Sequence, residues 1–182
     1  MKRLSLIFIV LFIGLAAYAE TLSSNAYSID EIPNVPDSLE YKAKSGDIFS
    51  QCLLGFNSYS RALSKNEPQY YQKAVYWFRK AAEQGDDSAQ YMLGRCYYYG
   101  RGIEQNYTEA VYWYRKAAEK DYAKGQWNLG LCYYYGRGVD KSYADAVSWY
   151  QKAADKEYAS AQNTLGCCYE WGRELNVVML ML

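Results

Sequence analysis

The 182-residue sequence predicts an all-α fold: an α-solenoid of antiparallel helix pairs, about three and a half of them, each resting on the next. Three observations predict it. A segment of about three dozen residues recurs, both halves of each recurrence carry apolar residues at the helical period, and capping residues and glycine turns punctuate the halves.

The first half is the block Leu93-Gly94-Arg95-Cys96-Tyr97-Tyr98-Tyr99-Gly100-Arg101-Gly102-Ile103, which returns 36 positions later as Leu129-Gly130-Leu131-Cys132-Tyr133-Tyr134-Tyr135-Gly136-Arg137-Gly138-Val139. It starts again at Leu165-Gly166-Cys167-Cys168-Tyr169. An earlier, diverged copy contains Leu54-Gly55-Phe56, and the 39-residue step from Gly55 to Gly94 places three extra residues in the loop between the first unit's halves. A glycine inside a helix costs about 1 kcal/mol relative to alanine. A cost repeated at one phase needs a repeated compensation, so the spacing predicts a neighbouring helix in close approach there, with Ala110 and Ala146 on the opposing surface. The Gly-Arg-Gly turns at 100–102 and 136–138 then stop the helix, because glycine accepts the left-handed conformation of many helix C-caps. Tyr97, Tyr133 and Tyr169 fall on the Leu-Gly stripe and are expected in the core.

The second half is Ala110-Val111-Tyr112-Trp113-Tyr114-Arg115-Lys116-Ala117-Ala118, matched at 74–82 and 146–154. Ala110, Trp113, Tyr114, Ala117 and Ala118 stand at i, i+3, i+4, i+7 and i+8, which draws one apolar stripe along a helix. Capping pairs precede it: Asn106 with Glu109, Ser142 with Asp145, and Asn66 with Gln69 across Pro68, a residue tolerated in a first helical turn. Capping accounts for Asn106 without invoking the Asn-x-Thr glycosylation sequon that it also spells.

Around the repeats, Lys2 and Arg3 precede an apolar run from Leu4 to Leu15 and an Ala17-Tyr18-Ala19 end, the layout of a signal peptide over residues 1–19. Residues 20–45, with Pro33, Pro36 and scattered Ser and Asn, read as a linker. The repeats are placed at 46–84, 85–120 and 121–156, followed by a partial one at 157–182. In the last, the expected Gly-hydrophobic step after Gly172-Arg173 is missing, and the apolar tail Val177–Leu182 either folds back over the final helix as a cap or marks a truncated or shifted reading frame.

Composition limits the function. Removing residues 1–19 takes away Lys2 and Arg3 and no acid, which moves the net charge from 0 to −2 and leaves no basic surplus for nucleic acid or anionic lipid. Membrane contact is therefore expected only through the signal segment, where it stays uncleaved. The chain has 5 Cys and no His. Cys96, Cys132 and Cys168 share one repeat position, so stacking should hold them roughly 8–10 Å or more apart, beyond the ~7 Å between alpha carbons that a bridge allows. Buried thiols are expected instead, and without His or a C-x-x-C pair no metal site or cofactor is expected.

The two blocks together resemble the Sel1-like repeat (SLR), a branch of the tetratricopeptide-like helical repeats, whose pattern reads approximately A-x-x-x-L-G-x-x-Y-x-x-G-x-G-V and then K-A-x-x-W-Y-x-K-A-A. The resemblance covers roughly residues 46–173. It implies a right-handed superhelix whose first helices line the concave side, and an adaptor that binds a protein or peptide, in many bacterial members after export to the periplasm or beyond.

On the groove side of that arrangement, Tyr91, Arg95 and Tyr98 lie at i, i+4 and i+7, with Met92 and Tyr99 beside them. Their counterparts are Trp127, Leu131, Tyr134, Asn128 and Tyr135. Tyr and Trp offer broad contact area with few rotors, so these ten residues are the candidate partner-binding strip, with packing between repeats as the competing assignment. Glycan binding by the same aromatics is the alternative. Catalysis is not expected: some cysteine-rich relatives have been linked to β-lactams, but this chain has no Ser-x-x-Lys, no Lys-Thr-Gly and no His, and Asp86 and Asp87 stand where helix caps belong.

Overall fold

The structure, a computed structural model, describes residues 37–65 and 67–181. Of its first compact unit, residues 1–38, only Asp37 and Ser38 are described; the repeats occupy the second, residues 39–182. The expected signal peptide lies outside the described residues. Those residues form eight α-helices and no strand: α1 (Asp37–Lys44), α2 (Ile48–Lys65), α3 (Pro68–Glu83), α4 (Asp87–Tyr99), α5 (Tyr107–Glu119), α6 (Ala123–Tyr135), α7 (Tyr143–Asp155) and α8 (Ala159–Met181). From α2 onward each helix packs mainly on its neighbours in sequence, so three hairpins, α2–α3, α4–α5 and α6–α7, stack one after another and α8 begins a fourth.

Local chemistry sets most boundaries. Asn106 Oδ1 accepts the Glu109 N–H at 3.1 Å and Ser142 Oγ accepts that of Asp145 at 3.2 Å, as the capping signature predicts. Their own N–H groups donate to the carbonyls of Tyr97 and Tyr133, both at 3.0 Å, so each second helix starts tied to the last turn of the first. Asp86 caps α4, accepting from the Ala89 N–H at 2.7 Å. Asn66 lies outside the described residues; α3 begins at Pro68 behind Glu67, whose side chain makes no cap bond.

Two stretches differ from expectation for one reason. Gly102 and Gly138 turn the chain at φ 73° and 74°, and a Cβ on either would run into the backbone of the preceding repeat's second helix, at Tyr71–Gln72 and Tyr107–Thr108. Leu63 and Glu174 hold this position in the first and last copies, and in both the helix runs on. The three extra residues therefore lengthen α2 to Lys65 instead of enlarging a loop. The apolar tail likewise continues α8 to Met181 and does not fold back.

The segment 20–45, expected as a linker, contains α1, and repeat chemistry explains that helix. Gln51, Gln90 and Gln126 occupy one repeat position, and their side-chain amides donate to the carbonyls of Ala43, Ala82 and Ala118 at 2.9, 3.2 and 3.2 Å. The α1 helix thus takes the place of a second helix ahead of the first hairpin. Ala43 is buried beside Leu54 and Trp77, with Leu39 packed against them. Residues 20–36 lie outside the described set.

The main core runs between hairpins, from Phe78 and Ala81 through Leu93 and Cys96 to Tyr114, Leu129 and Cys132. The glycine phase is explained by rings as well as by the small alanines expected there. A Cβ on Gly55 would stand 2.6 Å from the Phe78 ring, and one on Gly130 would stand 2.6 Å from the Tyr150 ring. At Gly94 it would meet the Tyr114 ring at 2.7 Å and the Ala110 carbonyl at 3.2 Å. Gly166 has nothing within 4 Å, because α8 has no following helix among the described residues. One core assignment is corrected: Tyr97 is buried and Tyr133 half-buried, but Tyr169 is exposed, and Gln151 stands where Arg79 and Arg115 hold the first two hydroxyls.

Candidate functional site

Positions that repeat unchanged serve the architecture. Beyond the glycine slots and glutamine clamps, a tyrosine–arginine clasp joins adjacent repeats. Arg101, in the turn after α4, donates to the Tyr59 hydroxyl on α2 and lies over the rings of Tyr59, Tyr71 and Tyr99. Arg137 does the same one repeat later, donating to Tyr98 and lying over Tyr98, Tyr107 and Tyr135. A second pair crosses the hairpins, where Arg79 donates to the Tyr97 hydroxyl at 3.0 Å and Arg115 to that of Tyr133 at 2.9 Å.

The ten strip residues divide by what they touch. Tyr91 packs its ring on Tyr114 and Tyr122, with centroids 6.1 and 5.5 Å apart. Trp127 meets Tyr158 at 5.9 Å, and its indole N–H donates to Thr164 Oγ1 at 3.1 Å. Tyr98 and Tyr134 set their rings edge-on to Tyr107 and Tyr143, each at 5.2 Å. Met92 is buried, with its sulfur facing Arg95. These five side chains join helix to helix.

Of the other five, Tyr99 and Tyr135 are exposed and Arg95, Leu131 and Asn128 are half-buried. Tyr99 is 52% exposed and Tyr135 56%, each ring backed at 5.1 Å by the arginine of its own turn. Arg95, half-buried, spreads its guanidinium over the Tyr59 and Tyr91 rings at 5.7 Å. Leu131 is half-buried against the Ala146, Tyr150 and Leu165 cluster, and Asn128 donates to the Lys124 carbonyl at 2.8 Å.

The equivalent face of α2 was not singled out in the sequence. Phe49, Leu53 and Phe56, at i, i+4 and i+7, are all exposed, Phe49 at 74%. By repeat register Leu53 corresponds to Met92 and Asn128, and Phe56 to Arg95 and Leu131. Phe56 is steadied edge-on by Phe78 at 5.1 Å. The strip therefore starts apolar in the first repeat and becomes mixed in the next two. The signal that could have found it was the register through Gly55, applied to the diverged copy.

Burial dominates the electrostatics here. Burial pushes the Tyr91 and Tyr98 hydroxyls up, and Tyr122 to about 12, so all three stay protonated and able to donate. Burial likewise raises the thiols of Cys52, Cys96 and Cys132 to about 12, which withholds the thiolate a nucleophile needs. The five cysteines are free, with Cys167 exposed. Among the described residues no group of three or more His, Cys, Asp or Glu could hold a metal, and no helix is long and apolar enough to cross a membrane.

Comparison with known proteins agrees with this architecture. The family model for the Sel1 repeat matches residues 48–86, 87–122, 123–158 and 159–177, two residues later in phase than the sequence blocks suggest. No curated protein matches the chain. Among solved structures it is similar to a Sel1 repeat protein from Oxalobacter formigenes, at 35% identity and TM-score 0.60, covering 71% of this chain and 95% of that one. It is also similar to a protective antigen of uropathogenic Escherichia coli strains displaying an SLR fold, at 30% identity and TM-score 0.56. That match covers 75% of this chain but only 36% of the antigen. Cysteine rich protein B of Helicobacter pylori shares the fold at 24% identity and TM-score 0.56, with 73% and 98% covered.

Proposed function

Because the chain belongs to the Sel1 repeat family, it is a helical-repeat scaffold, and we propose that it acts as an exported, non-catalytic adaptor holding a protein or peptide segment along the outward face of its first helices. The observation that carries this reading is the contrast between fixed and varying positions. Slots, clamps and clasps repeat, while one partly exposed face varies, Phe56 giving way to Arg95 and then Leu131 beside the exposed Phe49, Tyr99 and Tyr135. A partly exposed face, apolar at one end and rich in braced aromatics, suits an extended amphipathic segment. Export is supported by residues 1–19, and mass measurement of the mature N-terminus tests it, with cleavage after Ala19 expected.

The binding test uses affinity capture from the native envelope fraction with mass spectrometry. Leu53→Ser with Phe56→Ser, and Tyr99→Ser with Tyr135→Ser, should lose the captured partner while helical content stays intact. Trp127 and Tyr98 are poorer probes, because each holds a neighbouring helix. Retention of the partner by both double variants sinks the groove reading. Retention on a glycan array or on peptidoglycan, with no protein captured, replaces it with envelope-glycan binding by the exposed tyrosines. Turnover of a chromogenic β-lactam would overturn the non-catalytic assignment.

A further inference from the structure

Where α2 meets α4, two arginines share one ring. The guanidiniums of Arg95 and Arg101 each lie 5.7 Å from the centroid of Tyr59, so the two charges stand no farther apart than twice that distance. Both side chains are half-buried. Tyr99, whose exposed ring Arg101 backs at 5.1 Å, sets the pair at the edge of the face proposed for binding.

No acid of the chain answers these charges. Among the described residues neither arginine has a carboxylate at ion-pair distance; the pairs found there are Lys44 with Glu40 and Lys156 with Asp121. The α2 helix contains no Asp or Glu, and α4 has only Asp87, in its first turn. Arg101 donates to the Tyr59 hydroxyl and Arg95 faces the Met92 sulfur at 3.9 Å, which leaves most of the five N–H donors of each guanidinium without a protein acceptor. Like charges so close repel, and partial burial removes some of the water that would screen them. The fold does not require the second charge: the next junction keeps the clasp, Arg137 on Tyr98, and has Leu131 where Arg95 stands.

We propose that Arg95 and Arg101 together bind a side-chain carboxylate of the held segment, so that the partner presents an acidic amphipathic stretch, its Asp or Glu on the two guanidiniums and its apolar residues on Leu53 and Phe56. This rests on the groove reading above and specifies its partner. A carboxylate has oxygens enough to accept from both planar forks, and charge-assisted bonds of this kind are the strong ones. Phe56 holds on α2 the register position that Arg95 holds on α4, so an apolar anchor and a charged one stand side by side on adjacent first helices.

The test screens the purified full chain against a library of short peptides with acetylated and amidated ends, in which side chains carry the only carboxylates. Retained sequences are resynthesised with each Asp or Glu changed to Asn or Gln and titrated by fluorescence anisotropy. Retained peptides should join an acid to apolar residues, and the amide replacement should weaken binding at least about tenfold, a comparison that needs no variant protein to fold. Arg95→Leu, which copies Leu131, should cost the acidic peptide as much, leave its amide version unchanged and flatten the salt dependence of binding. Arg95→Gln should do the same, with circular dichroism confirming the fold of both variants. Acid-free peptides that are still lost on Leu53→Ser with Phe56→Ser, or acidic peptides indifferent to both Arg95 variants, overturn the carboxylate site and leave the groove reading standing. No retained peptide at all overturns both.

Discussion

The ring of Tyr114 occupies the space that a side chain at Gly94 would need: a Cβ there would stand 2.7 Å from Tyr114 Cδ1. Gly94→Ala and Gly130→Ala are therefore expected to destabilise the protein by about 1–3 kcal/mol, the range for overpacking a fitted core. Gly166→Ala should instead stabilise it, by up to about 1 kcal/mol, because the slot is empty and alanine is the better helix former. Urea denaturation of the three variants distinguishes these signs, and equal losses at all three would refute the slot account.

Gly138 is the position where the turn is decided. Gly138→Glu copies what Glu174 does in the last repeat, adding strain at φ 74° to a collision with the Tyr107 backbone. The expected loss is at least about 3 kcal/mol, seen as a large fall in Tm. Gly136→Ala, where a Cβ would approach Lys141 no closer than 3.2 Å, should cost about 1–2 kcal/mol, chiefly from left-handed backbone.

The clasp between Arg137 and Tyr98 should appear as coupling. Tyr98→Phe and Arg137→Gln, singly and together, are expected to give an interaction energy of about 0.5–1 kcal/mol in a double-mutant cycle. Additive effects within error would reduce the clasp to a surface contact.

Glu157 holds a backbone at φ 59° in the turn before α8, where Gly46, Gly85 and Asp121, the last at φ 62°, stand in the earlier turns. Glu157→Gly should stabilise by about 1 kcal/mol through relief of that strain. Calorimetry showing no gain would mean that the side chain contributes as much as its backbone costs.

Burial holds the Cys96 and Cys132 thiols at about 12, above their value in the unfolded chain. Above pH 9 the unfolded state sheds these protons and the folded state keeps them, so the stabilisation, complete below that pH, is lost as pH climbs toward 12. Denaturation midpoints should fall steadily over that window. At pH 8, a thiol reagent should label Cys167 within its dead time and the two buried cysteines only on unfolding; prompt labelling of either buried thiol contradicts the packing.

Periodicity made the hairpins legible, because 3.6-residue stripes and caps are local signals. It also located the slot glycines, while the rings that fill them had to be seen. Trp127 and Tyr98 looked like groove residues since their own helices leave them outside the Leu-Gly stripe. Their partners, Thr164 and Arg137, lie 37 and 39 positions away on the next repeat, beyond what one helix's pattern reports. Tyr169 failed as a core residue for a related reason: its position is right, but Gln151 on α7 stands where Arg79 and Arg115 hold the earlier two tyrosines. Phe49, Leu53 and Phe56 were hidden because the best-matching copies, which define the strip, are the second and third.

Each clasp also governs how such an array comes apart. Arg101 and Tyr59 are 42 positions apart in the chain, so undoing that bond separates a whole hairpin from its neighbour and cannot be a local fraying event. Proteases should accordingly nibble inward from the termini and find few cuts near residues 98–137. Heating should release the middle repeats together instead of peeling them away singly.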